Sequence, residues 1–124
     1  MEIQSEGYSK PSGNRNDCVV RALSIAANLS YEECDDLYVQ YGRKRGRPTR
    51  REVSIAVHRY LESAVIYHRR PYPTLAKFIR SAPTGRFVLI RRGHAFALVD
   101  GVVHDWSRGT GPRSRIQMAF RITK

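Results

Sequence analysis

Two apolar segments joined by the dipeptide Asp100-Gly101 constrain the fold of this chain more than any other feature. Residues 94–99 and 102–106 are rich in the β-branched and aromatic side chains that are typical of strands. Asp-Gly is a preferred pair for a two-residue hairpin turn, which would place Val99 opposite Val102 and so set the register of both strands. The sequence therefore predicts an antiparallel hairpin near the C-terminal end.

The same register predicts a contact between a histidine and a carboxylate. Side chains alternate between the two faces of a sheet, so His94 and Asp105 share one face as diagonal neighbours with Cβ atoms about 7–8 Å apart. A carboxylate can reach an imidazole nitrogen over that separation. His104 and Trp106 fall on the opposite face, so we leave His104 out of the predicted pair.

The first half of the chain has the pattern of helices. Residues 18–29 are apolar at nearly every position, which predicts a buried helix with Asn16 or Asp17 as its N-cap. Capping-box patterns at residues 30–33 and 49–52 predict two further helices that end near residues 41 and 61.

An antiparallel sheet is expected after these helices. The remaining elements predicted from the sequence are a strand over residues 64–68, a short helix over 75–81 capped by Thr74, and strands over 86–91 and 116–123. Helices followed by strands predict an α+β fold. Residues 1–13 are polar and end in Pro11-Ser12-Gly13, so we expect a flexible N-terminal segment before a single domain of residues 14–124.

The two cysteines lie in different surroundings. Cys34 is in an amphipathic helix, where a cysteine usually packs as a small hydrophobe. Cys18 opens the buried helix, and a thiol at a helix N-terminus beside an imidazolium readily forms a thiolate. With Cys18 as nucleophile, His94 as base and acid, and Asp105 as orienting carboxylate, the residues form a catalytic triad. The alternative, in which all three have structural roles, stays open.

Acyl transfer also needs hydrogen-bond donors for an oxyanion. The candidates are the backbone N–H of Cys18 and the side-chain amide of Asn14 or Asn16, although asparagines before a helix are also common as loop and cap residues. The histidines are scattered and no Cys-x-x-Cys pair occurs, so no metal site and no cofactor are expected.

The order Cys, His, Asp resembles that of the papain-like cysteine peptidase superfamily. The small phage and bacterial members, the bacteriocin-processing peptidases and the Josephin-type deubiquitinases are the most similar. The resemblance covers about residues 14–106 and is carried by two segments, Asn16-Asp17-Cys18-Val19-Val20-Arg21-Ala22-Leu23 and Gly93-His94-Ala95-Phe96-Ala97-Leu98-Val99-Asp100-Gly101-Val102-Val103-His104-Asp105.

This resemblance implies a papain-like α+β fold in which a buried central helix headed by Cys18 packs on a C-terminal antiparallel sheet. It also implies the triad of Cys18, His94 and Asp105. The glutamine that supplies an oxyanion donor in the family is absent, since Ser12 and Gly13 occupy its place.

The function predicted from these residues is hydrolysis of a peptide or isopeptide bond through a thioester on the cysteine. Two alternatives remain. The protein could be a weakly active or inactive papain-like module that binds nucleic acid or an acidic protein, or it could be an acyltransferase that uses the same triad.

The chain is strongly basic. Its formal net charge is +11, from 22 basic and 11 acidic residues. Six basic side chains cluster in a predicted loop, where they are expected to bind phosphate or an acidic protein surface: Arg43, Lys44, Arg45, Arg47, Arg50 and Arg51. Neither a signal peptide nor an apolar run of about 20 residues is present, which predicts a cytoplasmic protein without membrane contact, in the host cell if a phage encodes it.

Overall fold

A computed structural model describes the backbone of residues 2–5, and residues 16–106 and 109–123 in full. These parts of the chain form four helices and six strands. They are β1 (Glu2–Ser5), α1 (Cys18–Ala27), α2 (Tyr31–Gln40), α3 (Arg51–Tyr60), β2 (Ala64–Tyr67), α4 (Leu75–Ser81), β3 (Arg86–Arg91), β4 (His94–Val99), β5 (Val102–Asp105) and β6 (Met118–Ile122). Every predicted helix and strand is present, with ends shifted by at most two residues.

The six strands form one sheet in the order β1-β5-β4-β3-β6-β2. All neighbouring strands are antiparallel except β1, which runs parallel to β5. The predicted α+β class is therefore confirmed.

The hairpin between β4 and β5 has the predicted register. Val99 pairs with Val102, and Ala97 pairs with His104. Asp100 and Gly101 have φ angles of 47° and 81°, the left-handed conformation that this turn requires. The turn thus fixes which side chains of the two strands share a face.

The sheet has a hydrophobic core on each face. Helices α1, α2 and α3 cover one face, where they pack against Val88, Ala95, Ala97, Met118 and Phe120. Helix α4 covers the opposite face through Leu75 and Phe78. The strand residues that point to this face are Phe87, Leu89, Phe96, Leu98, Val103 and Ala119. The strands are buried on both sides, which explains their nearly continuous apolar sequence.

Residues 2–5 differ from the predicted flexible segment. They form β1, which pairs with residues 102–105 and so extends the sheet beyond β5. The edge of β5 offers backbone N–H and carbonyl groups with which another segment of the chain can pair, whatever the side chains of that segment are. β1 contains a single apolar side chain, Ile3, so its sequence has no strand pattern to recognise.

Two of the four predicted side-chain caps are confirmed. Ser30 accepts from the N–H of Glu33 at 3.1 Å, and Thr74 accepts from the N–H of Lys77 at 3.2 Å. The capping box that begins at Thr49 is wrong, because Arg50 occupies the N-cap of α3. Thr49 is therefore one residue too far from the first turn to accept from its N–H groups.

Candidate active site

The three predicted triad residues lie together. His94 Nε2 is 2.7 Å from Asp105 Oδ1, and the Cys18 side chain is close enough to the ring to raise its pKa. Since Nε2 faces Asp105, Nδ1 is the nitrogen that remains for the thiol. The thiol, the imidazole and the carboxylate thus lie next to one another in that order.

His94 can contact α1 because it lies at the end of a strand. Strand alternation puts His94 on the face of Phe96, whereas α1 packs on the opposite face, against Ala95. Because His94 is the first residue of β4, its ring lies at the end of the sheet. There it can contact both Asp105 and Cys18, the first residue of α1.

His94 is positioned to carry a proton at neutral pH. Burial by itself would lower its pKa, but the hydrogen bonds to Asp105 and Cys18 and the negative charges of these partners outweigh it and raise the pKa to about 9. An imidazolium hydrogen-bonded to a thiol favours the thiolate. This charge distribution is the one that a cysteine nucleophile requires.

The Asp105 carboxylate is held by its surroundings. Its side chain is 1 % exposed, and Oδ1 also accepts from the backbone N–H of Trp106 at 2.7 Å. The ring of Trp106 meets the His94 ring edge to face at 5.8 Å between centroids, and Phe96 stacks on His94 at 6.2 Å. These contacts limit the rotation of the imidazole and keep water from Asp105.

A buried ion pair next to the cysteine was not predicted. The side chains of Asp17 and Arg21 are almost inaccessible, and Asp17 Oδ2 accepts from Arg21 Nε at 3.1 Å and from the Tyr31 hydroxyl at 2.7 Å. The Arg21 guanidinium also lies 5.8 Å from the Trp106 ring centroid. Arg21 thus links the start of α1 to the residue that follows Asp105.

This ion pair explains why the N-cap of α1 is unusual. Asp17 occupies the predicted cap position, yet its side chain makes no capping hydrogen bond, because Arg21 and Tyr31 engage it. The sequence does contain a signal. An arginine in an otherwise apolar helix, four residues after an aspartate, indicates an i,i+4 pair that is buried with the helix.

The predicted oxyanion donors fare differently. The backbone N–H of Cys18 lies in the first turn of α1, where N–H groups have no partner within the helix, so it can donate to an oxyanion. The side-chain amide of Asn16 donates to the carbonyl of Gly46 at 3.0 Å. This contact attaches Asn16 to the basic loop and uses one of its two amide N–H groups, so its role as an oxyanion donor stays a prediction. Asn14 lies outside the described residues.

A cavity of about 300 Å³ adjoins the thiol and the imidazole, and we call it the thiol pocket. Its apolar lining comprises Val19, Ile90, Ala95, Met118 and Phe120. Arg51 and Arg91 add positive charge, and Ser54 and Gln117 add polar groups. The pocket can hold the apolar side chain of a bound peptide residue while the backbone carbonyl group of that residue faces Cys18.

Two of the six loop cations form ion pairs within the chain, which the sequence did not predict. The Arg43 side chain is buried and forms an ion pair with Asp35 at 3.2 Å. Arg45 contacts Asp35 at 2.8 Å and Asp36 at 3.3 Å. Both carboxylates belong to α2. They neutralise part of the positive charge of the loop, although no acidic residue lies within the loop itself.

The other cysteine and His58 lie in the core. Cys34 is fully buried, and burial raises the pKa of its thiol to about 12. His58 stacks on Phe120 at 3.9 Å between centroids, and burial lowers its pKa to about 3, so the ring is neutral. The predicted packing role of Cys34 is confirmed.

Among residues 16–106 and 109–123, no cluster of three or more His, Cys, Asp or Glu side chains is arranged to hold a metal ion. Within the part of the chain that the structure describes, every helix is too short or too polar to cross a membrane. Comparisons with models of protein families, with curated protein sequences and with solved structures found no match.

Proposed function

We propose that this protein is a papain-like thiol hydrolase that cleaves a peptide or isopeptide bond. The observation that carries the proposal is that Cys18 and the hydrogen-bonded pair of His94 and Asp105 lie together beside a cavity. A nucleophile, a proton carrier and a carboxylate that orients it are the parts that acyl transfer by a thiol needs.

In the first half of the reaction, the Cys18 thiolate attacks the substrate carbonyl carbon, and the resulting oxyanion accepts from the Cys18 backbone N–H. His94 passes the proton on Nδ1 to the leaving nitrogen. The carbon–nitrogen bond breaks, an amine departs, and the acyl group remains as a thioester on Cys18.

In the second half, neutral His94 removes a proton from a water molecule that attacks the thioester. The carbon–sulfur bond breaks, a carboxylic acid forms, and Cys18 returns as the thiolate beside protonated His94. Asp105 keeps the same hydrogen bond throughout, which holds the ring orientation and stabilises the imidazolium.

The experiment is digestion of a random peptide pool by the purified protein, with new termini identified by mass spectrometry. Wild type and Cys34→Ala should cleave the same sites, because Cys34 lies in the core. Cys18→Ala and His94→Ala should each lose at least about 100-fold in rate, as removal of a nucleophile or a general base does. Circular dichroism checks that all variants are folded.

An intact pool after digestion by wild type, or cleavage that persists in Cys18→Ala, contradicts hydrolysis by this thiol. A small primary amine added to the digestion distinguishes hydrolysis from acyl transfer. Hydrolysis gives free carboxyl termini, whereas a transferase gives amide-linked amine as the main product.

A further inference from the structure

A second, basic cavity adjoins the thiol pocket. It has a volume of about 470 Å³, and we call it the arginine pocket. Its lining is Gly42, Arg43, Lys44, Arg47, Pro48, Thr49, Arg50 and Val53. Pro48 and Thr49 line both pockets, so the two cavities are contiguous.

The charge of the arginine pocket is not compensated. Lys44, Arg47 and Arg50 are exposed, and within residues 16–106 and 109–123 none of them forms an ion pair. Arg51 brings a further exposed cation to the thiol pocket. By contrast, the neighbours Arg43 and Arg45 are engaged by carboxylates of α2. The cations of this loop thus divide into an anchoring pair and an exposed set.

The anchoring contacts fix the loop relative to the nucleophile. Arg43 Nη2 donates to the backbone carbonyl of Asn16 at 3.3 Å, and the Asn16 amide donates to the carbonyl of Gly46 at 3.0 Å. Asn16 is two residues before Cys18, so the exposed cations are held in a set position beside the reactive thiol. A preorganised basic pocket loses little entropy when an anion binds.

Building on the proposed thiol hydrolase, we propose that its substrate is an acidic polypeptide segment. An apolar side chain occupies the thiol pocket, and one or more Asp or Glu side chains of the same segment occupy the arginine pocket. Charge complementarity and the contiguity of the pockets carry this assignment. A nucleic acid fits less well, because none of the described residues that line the arginine pocket is aromatic and able to stack on a base.

The first measurement is hydrolysis of two matched peptide pools with a central apolar residue, one with Glu and one with Gln at the flanking positions. We expect the Glu pool to have a kcat/KM about five- to tenfold higher, as expected for a few partly exposed ion pairs. The difference should lie in KM and should shrink in high salt, which screens such pairs.

The variants are the pair Arg47→Gln/Arg50→Gln and, as a control of equal charge change, Arg59→Gln/Arg69→Gln. Arg59 and Arg69 are exposed and line neither pocket. The first pair should abolish the preference for Glu by raising the KM for the Glu pool. The control should keep the preference. Equal kcat/KM for both pools in wild type, or loss of the preference in both variants, overturns the assignment.

Binding to the Cys18→Ala variant separates this inference from catalysis. The Glu pool, labelled with fluorescein, should bind several-fold more tightly than the Gln pool, and Arg47→Gln/Arg50→Gln should remove the difference. If this holds while wild type hydrolyses nothing, the acidic site stands and the proposed hydrolase fails. If wild type cleaves both pools equally, the hydrolase stands and the acidic substrate fails. Tighter binding of a single-stranded oligonucleotide of equal charge also overturns it.

Discussion

His94 Nε2 and Asp105 Oδ1 lie 2.7 Å apart across the β4–β5 hairpin, with the carboxylate almost inaccessible to water. The other side of the same ring contacts Cys18 at the start of α1. The charge on His94 therefore depends on two partners from different layers of the fold. Changes to either partner should alter both reactivity and the pH dependence of stability.

Asp105→Asn should lower the kcat/KM for peptide hydrolysis by about 10²–10⁴-fold, because the amide cannot stabilise an imidazolium and can hold the wrong tautomer. It should also lower the pKa of His94 from about 9, because that value depends on the Asp105 hydrogen bond and charge. A pH–rate profile and NMR titration of His94 measure both effects. Asp36→Asn, at a side chain that is 78 % exposed, is the control and should leave them unchanged.

The protonated His94 should stabilise the folded state in a defined pH range. Its pKa rises from the usual 6.5 to about 9 on folding, so the contribution is complete below pH 6.5 and is lost as the pH rises through about 9. The shift corresponds to an upper value of about 3 kcal/mol. Urea unfolding at pH 6 and pH 10 should show a larger loss of unfolding free energy in wild type than in His94→Gln. Parallel losses in both proteins would contradict a folded-state shift at His94.

The hairpin was predictable because its signal is local. Asp100-Gly101 sets the turn, the turn sets the register, and the register pairs His94 with Asp105. The α+β order and the helix at Cys18 follow from similarly local patterns. The contact between His94 and Cys18 needed the structure, because alternation places His94 on the face away from α1 and only its position at the strand end brings the two together.

Long-range ion pairs were not predictable in the same way. Arg43 and Arg45 look identical to Arg47 and Arg50 in sequence, and their partner Asp35 is on another element. Burial of Arg43 is a property of how α2 packs beside the loop, which no local pattern encodes. Strand β1 was missed for the related reason that its pairing depends on the edge of β5.

Arg21→Met should destabilise the protein by about 3–5 kcal/mol, because it leaves the Asp17 carboxylate buried without its cation. The double variant Asp17→Asn/Arg21→Met should recover part of this loss. Unfolding free energies from urea titration give the double-mutant cycle. If Arg21→Met lowers the unfolding free energy by less than about 1 kcal/mol, the ion pair of Asp17 and Arg21 does not behave as a buried pair.

Arg43 and Arg45 should differ in their contribution to stability although both contact Asp35. Arg43→Met removes a buried cation and should cost about 3–5 kcal/mol. Arg45→Gln removes a side chain that is 52 % exposed and should cost less than about 1 kcal/mol. Thermal and urea unfolding of both variants check the order, and an equal cost would contradict the claim that burial of Arg43 sets it apart from the half-exposed Arg45.

The pH dependence of Cys18 alkylation tests the triad most directly. Iodoacetamide is added across about pH 5 to 10, and the rate at each cysteine is followed by peptide mapping. We expect Cys18 to be modified much faster in wild type than in His94→Ala below about pH 9, where His94 is protonated, and almost no modification of buried Cys34 until the protein unfolds. If Cys18 reacts no faster than Cys34, or reacts identically with and without His94, the thiolate–imidazolium pair does not exist.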